Sequence, residues 1–344
     1  MIKEKAFLKL NGINSQMAVE RLTALWALNE CALGGLMHAF NLPFTGILVG
    51  GISVLLITLI AFYTTHIWST LLKALTIVLL IKAGVSPYSP ITAYVAVSFQ
   101  AFLGMLLYSL FSINKLTIIS LSAVTFLESG LQKLITLTII FGQSLWEALD
   151  IYMAWIEKQL SFFSFNLNSK TLAYTFLLTY FISGILVGFL IIRTLNLLQQ
   201  MHISQMDFKL DIVISELKSP KKKNKKIILY TILMIVVLLP ILYFNNDSQG
   251  WQKAVYLITR STLILIVWYT VLGPLLIKSL NKSLSKKRQF YQANVQSILN
   301  IFPSLKAIIH QSWKDCKPFK GWDRLSQFLA KSIAYSLYFD HTKE

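Results

Sequence analysis

Residues 44–63 read FTGILVGGISVLLITLIAFY, a run without a single charge. Crossing the hydrocarbon of a bilayer takes about 20 apolar residues of helix. Hydrocarbon offers backbone amides and carbonyls no outside partner, so such a run must be helical. Seven further segments share this character: 17–40, 67–83, 91–111, 116–141, 172–195, 227–244 and 255–277. Hydrophobic residues make up 55% of the 344 positions. The chain therefore reads as an all-α integral membrane protein with about eight transmembrane helices, and most soluble enzyme classes are excluded.

The distribution of the formal net charge of +17 sets the expected topology. Lys3, Lys5, Lys9 and Arg21 stand at the start of the first segment, and Lys115 lies between the fourth and fifth. Arg193, the Lys221–Lys226 cluster, and Lys278 to Arg288 follow the sixth and eighth segments. Glu147, Asp150 and Glu157 lie between the fifth and sixth. Positive charge stays on the cytoplasmic side, so both termini are expected in the cytoplasm of a multi-pass inner (cell) membrane protein. The basic run at 218–226 reads as a headgroup anchor for the lipid bilayer, and nucleic acid is not an expected partner. The first sixteen residues lack a short apolar core with a small-residue cleavage site, so the first span is expected to act as its own insertion signal. Cys31 and Cys316 are placed too differently to form a bridge, and no metal-ligand spacing or cofactor pattern is read.

Four parts follow: a six-span domain at 1–199, a basic amphipathic linker at 200–226, a two-span hairpin at 227–277 and a cytoplasmic helical tail at 278–344. Outside the spans, residues 144–163 show helical periodicity in Leu145, Leu149, Met153 and Ile156 and predict an interfacial helix. Residues 291–313 and 322–338 predict an amphipathic hairpin suited to docking on a partner or the bilayer.

Ionisable and amide groups inside spans are costly and mark candidate sites. Glu30 and His38 lie in the first span, Lys82 in the third, Gln100 in the fourth, and Glu128, Gln132 and Lys133 in the fifth. These residues would line a substrate pocket open to the outside, with Glu30 or Glu128 paired to Lys133. Lys82 and His38 sit near span ends, from which each could instead reach the headgroups. Ser and Thr within spans are read as partners of the backbone. Gly46 and Gly50 are four apart, as are Gly184 and Gly188, a spacing that lets helices approach. Ala24, Ala27 and Ala32 leave a smooth strip on the first span, fit either for internal packing or for docking a membrane subunit. No catalytic arrangement or phosphate loop is present, so the chain is not expected to be an enzyme.

Ala24-Leu-Trp-Ala27, His38-Ala-Phe-Asn-Leu-Pro-Phe-Thr-Gly46, Gly50-Gly-Ile-Ser-Val54 and Gly84-Val-Ser-Pro-Tyr-Ser-Pro90 give residues 10–197 a resemblance to the substrate-binding subunit of energy-coupling-factor transporters. The resemblance implies that six helices bind a vitamin, a cofactor precursor or a metal ion near the outer face. The first outer loop would gate the pocket, and small residues of the first helix would meet a membrane coupling subunit driven by a cytoplasmic ATPase. Two features depart from that pattern: Ala24 and Ala27 are three apart rather than four, and residues 200–344 have no counterpart. A small-molecule uptake component is thus the expected function. The alternative is a membrane scaffold that recruits a cytoplasmic partner through 291–338; a lipid-modifying enzyme ranks last.

Overall fold

The computed structural model describes residues 14–35, 45–86, 89–159, 168–201 and 273–339. The expected span at 227–244, nearly all of that at 255–277, the linker at 202–226, the N-terminal lysines and the outer loop with His38 lie outside the described residues. Every described element is helical. Helix α1 (Ser15–Leu28) runs on through a π-helical turn (Asn29–Leu33). It is followed by α2 (Thr45–Phe62), α3 (Ile67–Val85), α4 (Ile91–Phe111), α5 (Lys115–Phe141), α6 (Gln143–Gln159), α7 (Ser169–Gln200), α8 (Gly273–Asp315) and α9 (Gly321–Tyr338). Four of these, α3, α4, α5 and α7, are long and apolar enough to cross a membrane, and α2 is a shorter apolar helix.

The described residues divide into two compact units. The first comprises those within Met1–Gln132, Tyr174–Leu217 and Ile277–Glu344, and the second those within Lys133–Ala173 and Lys218–Leu276. In the first unit α2 is the central helix: every residue from 53 to 63 is buried, as expected of a helix that is apolar all round. Helices α1, α3 and α4 pack about it. Asn14 caps α1 by accepting the Gln16 amide at 3.0 Å, and Ala18, Leu22, Leu25 and Trp26 then turn inward at three- and four-residue steps. Helix α5 begins with a reciprocal cap: Asn114 Oδ1 accepts from the Thr117 amide at 3.0 Å, and Thr117 Oγ1 accepts from the Asn114 amide at 2.9 Å.

Glycine sets the approach of α7 to α5. A Cβ added at Gly184 would lie 2.6 Å from Ala123 Cα, and one at Gly188 would lie 2.9 Å from Ile119 Cα. These are backbone atoms with nowhere to move, so the antiparallel helices meet main chain to main chain, as small residues at four-residue spacing permit.

The tail departs from expectation. Its two helices form, but their apolar faces are not free. Ile298, Leu305 and Ile308 of α8, with Ile333, Ala334 and Leu337 of α9, belong to the same hydrophobic core as α1 to α4. The cause is the amphipathic stripe itself, which loses its contact with water only by covering the bundle. Arg21 Nη1 fastens the end of α9 by donating to the carbonyls of Ser336 at 3.1 Å and Leu337 at 3.0 Å, where the last turn of a helix lacks partners. An exposed ion pair, Arg193 to Asp323, joins α7 to α9.

In the second unit, Gly142 takes a left-handed φ of 67° and ends α5 before α6 starts. Helix α6 buries Met153 and leaves Ile151, Tyr152 and Trp155 outside, a composition suited to a membrane interface. Asp150 Oδ1 accepts from the Ser169 amide at 2.6 Å and so ties α6 to the start of α7. The hydrogen bonds from Ser169, then the nearby Lys170, hold its carboxyl below the usual carboxylate range.

Two predictions follow from this packing. Gly184→Ala should destabilise the protein by about 1–3 kcal/mol through overpacking. Gly84→Ala, with nothing within 4 Å of the new methyl, should change stability by less than about 1 kcal/mol; denaturant titration in detergent compares them. The Asp150 contact contributes stability that is complete above the ordinary carboxylate pKa of about 4 and is lost as pH falls through its lowered folded value. Amide exchange at 169–171 should therefore speed up in Asp150→Ala at neutral pH, and the parent should lose its advantage over the variant at pH below that range.

Candidate functional site

Three consecutive residues of the π-helical turn, Asn29, Glu30 and Cys31, are buried. The burial of the preceding helix, continuous from Leu22 to Ala27, runs on through this turn, and such turns recur at functional positions. Glu30 is 2% exposed and Lys82, in the last turn of α3, is 1% exposed. Lys82 Nζ donates to Glu30 Oε2 at 2.6 Å. Ser53 of α2 donates its hydroxyl to the other oxygen, Oε1, at 2.6 Å. Asn29 Nδ2 in turn donates to Ser53 Oγ at 3.0 Å and to the Val49 carbonyl at 3.0 Å. Ser53 thus accepts one proton and donates one, and both oxygens of Glu30 are engaged. The ring of Tyr94 on α4 lies 5.7 Å from Lys82 Nζ and adds a cation–π contribution.

Four helices therefore meet at one ion pair, and two expectations are corrected. Glu30 takes Lys82 as its partner and not Lys133, because Lys82 reaches it from the adjoining helix. Lys82 does not extend to the headgroups, because its ammonium is held inside by Glu30. The reading of intramembrane hydroxyls as backbone partners holds for Thr58, Thr76 and Thr194, each of which donates to the carbonyl four residues earlier; Ser53, which donates to Glu30, departs from it. Sequence reasoning missed both Ser53 and Tyr94. The available signal was spacing: Gly46, Gly50 and Ser53 fall at helical steps on one face of α2.

That face meets a second set of polar groups. A Cβ at Gly50 would lie 3.3 Å from Gln100 Nε2 and 4.0 Å from Thr125 Cγ2, and one at Gly46 would lie 3.1 Å from Ser129 Cβ. Gln100 Oε1, Thr125 Oγ1, Glu128 Oε2 and Asn29 Oδ1 are buried without a hydrogen-bond partner among the described residues. Gln132 Nε2 donates to the Thr92 carbonyl at 3.0 Å, joining α5 to the start of α4. Lys133 belongs to the second compact unit, and His38 lies outside the described residues. Glu30 and Lys82 are therefore brought into contact, Gln100 of α4 approaches at Gly50 the α2 face that carries Ser53, and Glu128 and Gln132 follow along α5.

The proposed docking strip is divided. Ala24 and Ala27 are fully buried in the bundle core, so they pack internally and are closed to a partner. Ala32 is exposed and lines an apolar groove of about 440 Å³ with Leu28, Leu33, Ile52, Phe328 and Leu329, where Lys306 is also found. Cys31 and Cys316 are both free thiols.

No protein-family model, curated protein or solved structure matches the chain. The site must therefore be read from its own chemistry.

A buried ion pair gives asymmetric mutational effects. Lys82→Met, which leaves a carboxylate buried alone, should cost about 3–5 kcal/mol. Glu30→Met combined with Lys82→Met should recover most of that loss. A double-mutant cycle by denaturant titration, with Glu30→Met as the second single variant, checks this; a double-variant loss equal to the sum of the two single losses would show that the pair is not coupled.

Proposed function

We propose that the chain is a membrane uptake component that binds a small polar molecule beside Glu30 and Lys82, in the manner of the substrate-binding subunits of energy-coupling-factor transporters. The observation that carries this reading is the set of buried polar atoms of Gln100, Thr125, Glu128 and Asn29 that have no hydrogen-bond partner among the described residues. Each such atom costs about 1–3 kcal/mol when left unsatisfied, and native proteins rarely leave several together. A polar ligand would offset that cost. The already neutralised Glu30–Lys82 pair would position such a ligand by its dipole, without demanding a net charge.

In this proposal the chain has eight spans, both termini lie in the cytoplasm of the inner membrane, and the pocket opens outward past the loop that carries His38. A vitamin or cofactor precursor fits the amide and hydroxyl character of the site better than a metal ion. The groove at Ala32 is the part of the original strip left for a membrane coupling subunit, which would bring a cytoplasmic ATPase. The scaffold alternative retains one support, the exposed Trp313, Phe319, Trp322 and Leu325 at the α8–α9 turn; the rest of the tail is occupied with the bundle.

Native mass spectrometry of the gently solubilised chain tests the proposal. The expected result is a bound organic solute whose occupancy falls about tenfold in Gln100→Ala, the equivalent of about 1.4 kcal/mol. A chain that carries no solute, and whose tail region alone accounts for every co-purifying protein, would overturn it in favour of the scaffold.

A further inference from the structure

A second polar site lies at the end of the bundle where α1 begins and α2 ends. A cavity of about 450 Å³ is walled there by α1, the α2–α3 link, α3 and α8. Its lining includes Glu20, Thr23, Tyr63, Ser69, Lys73 and Asn294. The volume lies in the lower part of the range usual for small-molecule sites, about 300–1,000 Å³.

Three observations mark it as built for a ligand. Most of its lining residues carry a hydroxyl or an amide, whereas the neighbouring bundle core is apolar. The Tyr63 hydroxyl is buried, with the residue 4% exposed, and has no hydrogen-bond partner among the described residues. Two opposite charges face the cavity from different helices, Glu20 from α1 and Lys73 from α3. Neither takes part in the salt bridges found among the described residues, which are Lys82–Glu30 and Arg193–Asp323. The strongest described hold on Glu20 is a long contact of 3.5 Å from the Gln16 amide.

The placement of these charges selects the ligand class. Ser69 and Thr70 of the cavity wall belong to the first turn of α3, the positive end of its helix dipole. With Lys73 one turn further on, the α3 side favours an anionic group. Glu20 makes the α1 side favour a cationic one. A simple anion would face Glu20 unfavourably, and an uncharged polyol would leave both charges unmatched. We propose that this cavity binds a small zwitterion of the amino-acid type, its carboxylate toward Lys73 and the start of α3, its ammonium toward Glu20, with the Tyr63 hydroxyl completing the contacts. The proposal goes beyond the uptake reading and does not rest on it: Ser53 lies within α2 and Tyr63 directly follows its end, ten residues on and about 15 Å away at 1.5 Å per residue.

Isothermal titration of the full chain in lipid nanodiscs tests the assignment. The probes are the twenty standard amino acids taken singly, with inositol and inorganic phosphate as uncharged and purely anionic comparisons. The expected result is saturable binding of at least one amino acid, weakened tenfold or more by Glu20→Gln and by Lys73→Ala and retained in Lys73→Arg. Tyr63→Phe should weaken binding while leaving the melting temperature of the unliganded chain equal or higher, because it removes an unsatisfied hydroxyl. Absence of amino-acid binding, equal binding of inositol or phosphate, or binding indifferent to both charge variants would each overturn the proposal. Loss of the solute beside Gln100 would leave this result untouched, so the two sites fail separately.

Discussion

The ion pair between Glu30 and Lys82 is the constraint around which the bundle is organised. Two charges removed from water each carry a penalty of several kcal/mol, repaid only where geometry is good and the remaining lone pairs are engaged. The chain meets both conditions with local devices. The π-helical turn turns Glu30 and Asn29 inward together. Ser53 engages the carboxylate oxygen that Lys82 leaves free, and Asn29 in turn engages Ser53. Lys82 stands in the last turn of α3, where the carbonyl end of the helix favours a cation. Removing any one of these would leave a charge or a dipole uncompensated, which is why four separate helices are held in one register.

Around that centre the packing is closed by small residues. The Gly46–Gly50 face of α2 lets Gln100, Thr125 and Ser129 approach, and Gly184 with Gly188 lets α7 lie on the backbone of α5. Lipid tails are as apolar as leucine, so helices in a bilayer gain little by merely hiding apolar surface and depend on close contact and hydrogen bonds. The tail helices follow different physics. Their charged faces keep α8 and α9 amphipathic, and they cover the bundle with one stripe each while Arg21 takes the orphan carbonyls at the end of α9.

Much of this was legible in the sequence. Segments such as 44–63 state helix and membrane by length and the absence of charge, and the glycine pairs state close approach by spacing. The placement of Glu30 and Lys82 within helical segments was legible too. Pairing was not. Lys133 and Lys82 are equally good partners for Glu30 by residue type, and the choice depends on which helix lies alongside, a tertiary fact. The strip at Ala24, Ala27 and Ala32 failed for a related reason: Ala24 and Ala27 are covered by the rest of the bundle while Ala32 is exposed, and which helices lie alongside is again a tertiary fact. Ser53 was hidden because most hydroxyls in these helices do bond their own backbone, and nothing in its residue type separates it from Thr58.

Between the two polar sites the bundle is solid. Trp26, Ile57, Leu59, Ile60 and Tyr108 are almost wholly buried at intermediate levels, and the hydroxyls of Thr58 and Tyr108 there engage each other at 2.6 Å. A charged or zwitterionic molecule crossing about 15 Å of such packing would be stripped of hydrogen bonds over the whole distance, at a cost far above what either end could repay. In this conformation the two proposed sites are therefore separate and not two mouths of one channel. Any passage of solute requires the helices to separate, and the structure locates where separation is hardest: at the backbone contact of α5 with α7, and at the ion pair that α1 and α3 can break only by exposing both charges.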